Sequence, residues 1–371
     1  MINSLSDMQI NEIIQFLEEI APLAYQESYD NAGLLVGRAD QPLQGMLITL
    51  DITEAVVQEA IQKHCNLIVS HHPIIFHPLK RITGATDAER AIILAIQSNI
   101  VLYAAHTNLD QVAEGVNAMI AERLGLLHPQ VLAPLRGKLK KLVTFVPHAH
   151  AAALRTALFH AGAGTIGQYD ECSYNIEGMG TFRAREGAHP YVGAVGEQHQ
   201  EPETRIETIF PAHRETAVVE ALLRHHPYEE VAYDIYPLDN LHPRVGPGMV
   251  GELPEPLPVD VFLKHVQKAL QTGCIRYTRY TGMIQRVAVC GGAGVFLLPE
   301  AIKAGAQAFV TADVKYHEFF RAEGRLLLLD AGHYETEQFT IDLLERLIRK
   351  KFPNFAPLKS EICTNPINYF S

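Results

Sequence analysis

Apolar positions along this chain recur with two periods. In SDMQINEIIQFLEEIAP, Ile10, Ile13, Ile14 and Leu17 fall three or four apart, the spacing of one helical face, with Ser6 or Asp7 placed to cap it. Thereafter short unbroken apolar runs alternate with amphipathic segments. GMLITLDI (45–52), NLIVS (66–70) and IVLYAAH (100–106) read as strands. TEAVVQEAIQKH, capped by Thr53, and DAERAIILAIQSN read as the helices between them, and QVAEGVNAMIAERLG as the next. Strands without polar alternation are covered on both faces, so the pattern predicts a layered α/β sheet with helices against it.

The logic changes at KLVTFVP (141–147). From here the order is strand, helix AHAAALRTALFHAG, a Gly-rich middle SYNIEGMGTFRAREG, strand TRIETIFP, helix HRETAVVEALLRHHP and strand EEVAYDIYPL. This βαββαβ order predicts a ferredoxin-like domain. LDNLHPRVGPGMVGELPEPLPV, dense in Pro and Gly, reads as a linker. The α/β alternation then resumes. Helix PVDVFLKHVQKALQ is followed by strands CIRYTR and RVAVCGG, helix LLPEAIKAG, strand AFVTA, helix KYHEFFRAEG, strand LLLLDAG and helix TEQFTIDLLERLIRKKF. Three domains in a row would leave two small, half-built sheets. The more economical expectation is a split layered α/β domain, residues 1–137 and 243–371 forming one sheet, with an inserted ferredoxin-like (βαββαβ) domain at 138–242.

Composition narrows the classes. A chain of 371 residues, 47% hydrophobic and 20% charged, has the balance of a globular protein with room for two or three cores. The net charge of −11 argues against a general nucleic-acid binder, which needs clustered Lys and Arg. The N-terminus shows no secretory pattern and no apolar run reaches membrane-spanning length. Five scattered cysteines (65, 172, 274, 290, 363) without a CxxC pair read as reduced thiols, so a cytoplasmic protein is expected.

Ligands of open α/β sheets bind beyond the carboxyl ends of the strands. Four polar clusters fall there: SHHP after LIV, HTNLD after VLYAA, DVKYHE after AFVTA and GHYETE after LLLLDA. His71 and His72 alternate in direction on extended backbone. His333 and Glu337 are four apart and share a face if they open a helix. Asp110 adds a carboxylate able to bind or bridge. Imidazole with carboxylate suits Zn, Mn, Fe or Co. Three His and two carboxylates exceed what one catalytic ion takes, whereas two ions about 3.5–4 Å apart account for the number. His106 and His317 are candidates for proton transfer or for orienting a ligand. A second HHP at 225–227 ends a helix in a segment without partner carboxylates, which gives it a structural role. AVCGGAGVF (288–296) reads as a tight turn or a phosphate-approaching loop, and YDNAGLLVG places Asn31 and Gly33 in a tight loop.

YDNAGLLVG (29–37), SHHPIIF (70–76), HTNLD (106–110), TADVKYHE (311–318) and DAGHYETE (330–337) together resemble the Nif-three-like family, whose members carry the label GTP cyclohydrolase 1 type 2 homologue. The resemblance covers both halves of the split domain. It implies a dinuclear metal centre with His71, His72, Asp110, His333 and Glu337 as ligands, Glu337 bridging, and a toroidal homohexamer. TADVKYHE departs from relatives that carry Gly before the Asp. The insert resembles the PII-like and CutA-like domain of longer bacterial members, which implies gating or sensing.

Two functions follow as expectations. One is a metal-dependent hydrolase acting on a nucleotide-like, cyclic amide or phosphoester substrate, with His106 or His317 moving protons. The other is a non-enzymatic metal-holding assembly in which the insert senses a ligand or ion. Open coordination positions favour the first, and ions enclosed by protein the second.

Overall fold

The structure, a computed structural model, describes residues 8–370. Two compact units separate: Leu135–Pro243, and a body built from the chain on either side of it. The first part of the body supplies β1 (Gly33–Val36), β2 (Met46–Thr49), β3 (Leu67–Ser70), β4 (Val101–Ala104) and β5 (Leu127–Val131). The unit that follows carries β6 (Leu139–Pro147), β7 (Tyr174–Arg183), β8 (Gln198–Pro211) and β9 (Tyr233–Leu238). The returning chain supplies β10 (Met249–Pro258), β11 (Arg276–Tyr277), β12 (Met283–Val289), β13 (Ala308–Thr311), β14 (Leu327–Asp330) and β15 (Leu358–Lys359).

The expectation of one sheet is corrected. Among the described residues the body holds two mixed sheets, ordered β1-β4-β3-β2-β15 and β11-β14-β13-β12-β10-β5. Apolar runs mark which segments are strands but not which neighbour each takes. Each sheet has a parallel centre, β2-β3-β4 in one and β12-β13-β14 in the other. Antiparallel strands flank both, β1 on β4, β11 on β14 and β10 on β12. Each half of the chain also lends a strand to the other's sheet: β5 pairs with β10, and β15 with β2.

Helices Glu54–Gln62 and Asp87–Gln97 cross between the parallel strands of the first sheet, and Leu298–Lys303 between β12 and β13. Thr53 caps the first of these by accepting the Val56 N–H at 3.3 Å, as its sequence position implied. Val56, Val57 and Ile92 pack on Leu47, Ile68 and Leu102, and Leu298 and Ala301 on Val250, Phe309 and Leu328. Past the carboxyl ends of β4 and β14 the chain first makes only short helical turns, Thr107–Asp110 and His333–Glu337.

Several elements differ from expectation. The caps expected at Ser6 or Asp7 lie outside the described residues; Gln9 begins the helix Ile10–Ile20, its N–H donating to the Glu12 carboxylate at 2.9 Å. The stretch read as a linker contains β10. Pro254 and Pro256 fall between Glu252 and Leu257, where the register against β12 shifts, so a missing N–H interrupts no regular ladder there. QVAEGVNAMIAERLG shortens to a helix Val116–Arg123, preceded by a single helical turn Thr107–Asp110. KYHEFFRAEG shortens to Tyr316–Phe319 with a tighter turn after it.

Leu135–Pro243 runs β6, helix His148–His160, β7, β8, helix Glu215–His225, β9. Its antiparallel sheet is ordered β7-β8-β6-β9. One face, with Leu142, Val146, Ile206 and Phe210, packs under Leu154, Leu158, Val218 and Leu222 of the helices. The unit's ends meet: Leu135 and His242 form an antiparallel bridge, the His242 N–H donating to Leu135 O at 2.8 Å.

Because those ends are adjacent, a short Gly/Ser linker replacing Leu135–Pro243 closes with little entropy, about 0.6 kcal/mol per doubling of loop length. The shortened protein is expected to melt cooperatively by circular dichroism. Aggregation or a non-cooperative melt would show that the body depends on the insert.

Candidate metal centre

β3 and β4 run in register, Ser70 opposite Ala104, so the residues just beyond them emerge side by side. There the chain presents His71 and His72, and His106 followed by Asp110 on the turn Thr107–Asp110. In the other sheet, Asp330 ends β14 and the next turn opens the helix His333–Glu337. The i,i+4 spacing brings His333 Nε2 to 3.1 Å from Glu337 Oε2. The two sets converge: His72 Nε2 lies 2.9 Å from the same Glu337 oxygen.

Each histidine has its Nδ1 committed. His71 Nδ1 donates to Ala105 O at 2.8 Å, and His72 Nδ1 to Asp51 Oδ1 at 2.7 Å. His106 Nδ1 donates to Asp30 Oδ1 at 2.7 Å, and His333 Nδ1 to Asp313 Oδ2 at 2.7 Å. The acceptors being carbonyl or carboxylate, the facing nitrogen must carry the proton, which leaves every Nε2 for a ligand. This is the outer arrangement that orients metal-binding imidazoles. Two overlapping groups result, His71, His72 and His106, and His72, His333 and Glu337, with ligand atoms within 4.8 Å of one another in each. His71 Nε2 stands 3.8 Å from both Asp110 Oδ1 and Glu337 Oε2, beyond hydrogen-bond reach. His71 Nε2 and Asp110 Oδ1 are both buried without a hydrogen-bond partner. Buried polar atoms are normally satisfied. A nitrogen lone pair and a carboxylate oxygen facing one another across such a gap fit a cation between them.

The electrostatics point the same way. Burial pulls His72 down, but hydrogen bonds to Asp51 and Glu337 outweigh it and raise its pKa to about 9. For His333 burial is likewise outweighed, by Asp313 and Glu337, and the pKa rises to about 11. Burial would raise Asp30, yet His106 and Thr107 pull it down to about 2. Burial raises Asp110, whereas Glu337, despite its own burial, is held low by His333, His71 and His72. Protons therefore occupy His72 and His333 beside Glu337, positive charge where a divalent ion would supply it.

The cluster floors a cavity of about 450 Å³ lined also by Glu27, Tyr29, Phe76, Gln111 and Phe296. Cys290–Gly294 forms one wall. Gly292 sits at φ +55°, and a Cβ there would lie 2.4 Å from Glu337 Oε1. The N–H groups of Gly291, Gly292 and Gly294 are taken by Asn117, Thr336 and Thr311. AVCGGAGVF is therefore a close-approach turn against the cluster, not a phosphate cradle. Asn31 donates from Nδ2 to Ile75 O at 2.6 Å, and Gly33 opens β1 at φ +110°, so YDNAGLLVG is a tight turn into a strand.

All five expected ligands, His71, His72, Asp110, His333 and Glu337, are brought together, and His106 joins them. His317 is not: it is exposed on Tyr316–Phe319 and stacks against Tyr316 and Phe320 instead. In the second HHP, His226 is buried, its Nε2 donating to Phe145 O at 2.9 Å and its Nδ1 accepting the Tyr228 N–H at 3.1 Å. His225 Nδ1 donates to Ala221 O at 2.9 Å at the helix end. The residues the sequence reading missed are Asp30, Asp51 and Asp313. Each lies within or beside a segment already singled out, and Asp51 stands two residues beyond the end of β2, at the same sheet edge as the histidines.

Four histidines oriented by outer acceptors around two carboxylates, at the carboxyl ends of parallel strands, define an α/β protein whose His/Glu cluster can hold a metal ion. The chain belongs to the Duf34/NIF3 (NGG1p interacting factor 3) family, whose profile matches residues 8–366. It is 40% identical over 365 residues to the Bacillus subtilis protein named GTP cyclohydrolase 1 type 2 homolog, covering 96% of this chain and 98% of that one. A Halalkalibacterium halodurans protein of the same name is 40% identical over 364 residues, with 96% and 98% covered. The crystal structure of a Bacillus cereus protein related to NIF3 superposes with a TM-score of 0.86 at 38% identity, covering 98% of this chain and 99% of that one. That of a Staphylococcus aureus protein gives 0.78 at 28% identity, covering 99% and 100%. Among the described residues no helix is long and apolar enough to cross a membrane.

His72→Ala and Glu337→Gln are each expected to lose bound metal by elemental analysis, while His225→Gln with His226→Gln retains it. Full occupancy in the first pair would remove the assignment. A pH effect follows from His72 and His333. Both pKa values are raised above 6.5, so their stabilisation of the metal-free protein is complete below that pH and is lost as pH rises through about 9 and then about 11. Ions need those nitrogens deprotonated. Loading the metal-free protein at pH 7 is therefore expected to release about two protons per chain into weakly buffered solution. Loading without acidification would contradict this protonation pattern.

Proposed function

We propose that the chain is a metal-dependent hydrolase of nucleotide-like, cyclic amide or phosphoester substrates, holding two divalent transition-metal ions (Zn, Mn, Fe or Co). The observation that carries this reading is that the convergent ligand atoms, two of them buried and unpartnered, floor an open cavity rather than an enclosed cage. His71, His72, Asp110, His333 and Glu337 would hold the ions, with Glu337, which faces three imidazoles, as the bridge. His106 has the same geometry as the other three imidazoles and is best placed as a further ligand, oriented by Asp30. When bound, two such ions supply Lewis acidity toward a carbonyl, C=N or phosphoryl group.

The remaining work falls to the chain's own residues. Tyr29 and Phe76, ring centroids 6.3 Å apart, stand at the cavity with Phe296 and offer faces to a flat ring. Glu27, held by Gln111 Nε2 at 2.7 Å, is a carboxylate in the cavity outside the ligand cluster and can hold a proton beside the substrate. The name carried by the B. subtilis relative adds a cyclohydrolase as one version of the reaction.

We further propose the domain division 1–137 and 243–371 around a ferredoxin-like, PII- or CutA-like insert at 138–242. The βαββαβ order and the sheet order β7-β8-β6-β9 support it. A toroidal homohexamer and a cytoplasmic location complete the proposal, with neither membrane nor nucleic acid as partner. A second reading, a metal-holding assembly with the insert as sensor, is favoured by one observation. The insert has its own cavity of about 650 Å³, walled by Phe145, Phe182, Tyr191 and Tyr228 over the buried Glu203 carboxylate.

The test is turnover of GTP, other nucleotides, phosphoesters and cyclic amides by protein of measured metal content. Activity that tracks metal content and falls at least tenfold in Glu27→Gln, with metal retained, supports the hydrolase. No turnover of any class by fully loaded protein favours the assembly.

A further inference from the structure

The C-terminal segment runs along the first sheet and then across the cluster. β15 pairs in parallel with β2, Leu358 opposite Leu47 and Lys359 opposite Ile48, and the Ser360 N–H continues the ladder to Ile48 O at 2.8 Å. Glu59, on the helix after β2, anchors the next residues: it accepts the Glu361 N–H at 2.8 Å and the Ser360 hydroxyl at 2.5 Å. The parallel direction then carries the chain beside the end of β2, where Asp51 lies. The Thr364 hydroxyl donates to Asp51 Oδ2 at 2.5 Å, while Asp51 Oδ1 accepts from His72 Nδ1 at 2.7 Å. The next residue, Asn365, donates from Nδ2 to Glu335 Oε1 at 3.3 Å. Glu335 is 4% exposed and shares the helical turn of His333 and Glu337. Two consecutive residues thus reach the carboxylate that orients His72, beyond one sheet, and the helical turn that carries His333 and Glu337, beyond the other.

We propose that Thr364 is a positioning residue of the metal centre, and that residues 360–365 form a strap that sets His72 and the His333–Glu337 turn in register for ion binding. The proposal rests on the reading that the cluster holds metal. A carboxylate turns freely about its last torsion, where no staggered minimum holds it. With one oxygen on His72 and the other on Thr364, the plane of Asp51 is fixed, and with it the ring that Asp51 orients. Loss of an outer partner of a ligating histidine costs about 10–100-fold in metal affinity. Thr364 acts one hydrogen bond further out, so a loss of about threefold to tenfold is expected.

The experiment compares full-length wild type, Thr364→Val, which keeps the shape and removes the donor, and Thr364→Ser, which keeps the donor. Zinc affinity is read by competition with a chromophoric chelator, and the melting temperature of each metal-free protein is read beside it. The ring nitrogen shifts of His72 report its tautomer. The expected result is a threefold or larger loss of affinity in Thr364→Val, near-wild-type affinity in Thr364→Ser, equal metal-free melting temperatures, and a changed His72 ring signal in the Val variant alone. Equal affinity in Val and wild type overturns the proposal, as does an equal loss in Val and Ser. A Val variant whose affinity falls only with its metal-free stability also overturns it, and Asn365→Leu repeats the comparison from the other end of the strap. Wild-type protein that binds no zinc, manganese, iron or cobalt would instead remove the metal-centre reading itself.

Discussion

An imidazole can offer one nitrogen in a defined direction only when its other nitrogen is already spoken for. That constraint organises the centre of this protein. Four rings donate from Nδ1 to Ala105 O, Asp51, Asp30 and Asp313; the free nitrogens of His71, His72 and His333 thereby face Asp110 or Glu337, and His106 groups with His71 and His72. Three of the four acceptors are carboxylates, which strengthen the imidazole as a donor of its lone pair to a cation. In the absence of an ion, protons take the cation's place, and the raised pKa values of His72 and His333 express how strongly the cluster calls for positive charge.

The fold meets that constraint by exchanging strands. His72 belongs to one sheet and Glu337 to the other, so their 2.9 Å contact requires the two sheets to hold a fixed relation. β5, from the first half of the chain, completes the second sheet, and β15, from the last residues, completes the first. Neither sheet can move away without breaking a ladder. Helices cover the apolar strands, and the clustered imidazoles and carboxylates collect just past the carboxyl ends of the parallel strands. Gly292, where any side chain would strike Glu337, shows how closely backbone approaches the cluster.

Much of this was legible in the sequence because it rests on local signals. Unbroken apolar runs located β2, β3, β4, β13 and β14, and polar clusters just past them nominated His71, His72, Asp110, His333 and Glu337. What was not legible depends on pairing. β1 is four residues bounded by glycines, and β10 carries three prolines, so each looked like loop until a partner strand was known. One sheet or two cannot be decided from periodicity, since parallel strands look alike wherever they pair. A lone Asp before a turn, such as Asp30 or Asp313, has no pattern of its own. Its meaning comes from a histidine 76 or 20 residues away in the chain. His317 shows the other side of this, a histidine just past a strand end that the turn Tyr316–Phe319 leaves exposed and outside the grouped residues.

The place of the insertion follows from the same accounting. β5 and β10 are antiparallel neighbours, and Leu132 N to Gly248 O and Ala133 N to Pro247 O continue their hydrogen bonding right up to the boundary of the inserted unit. The insert therefore interrupts the turn of a completed hairpin rather than a ladder. An antiparallel pair needs only a short connection, and the Leu135–His242 bridge restores that shortness for a much longer one. None of the cluster's imidazoles and carboxylates, and none of the acceptors that orient them, comes from the inserted residues. The cluster of His71, His72, His106, Asp110, His333 and Glu337 is thus assembled from residues of the body alone, and the inserted unit is tied to that body through a closed hairpin turn.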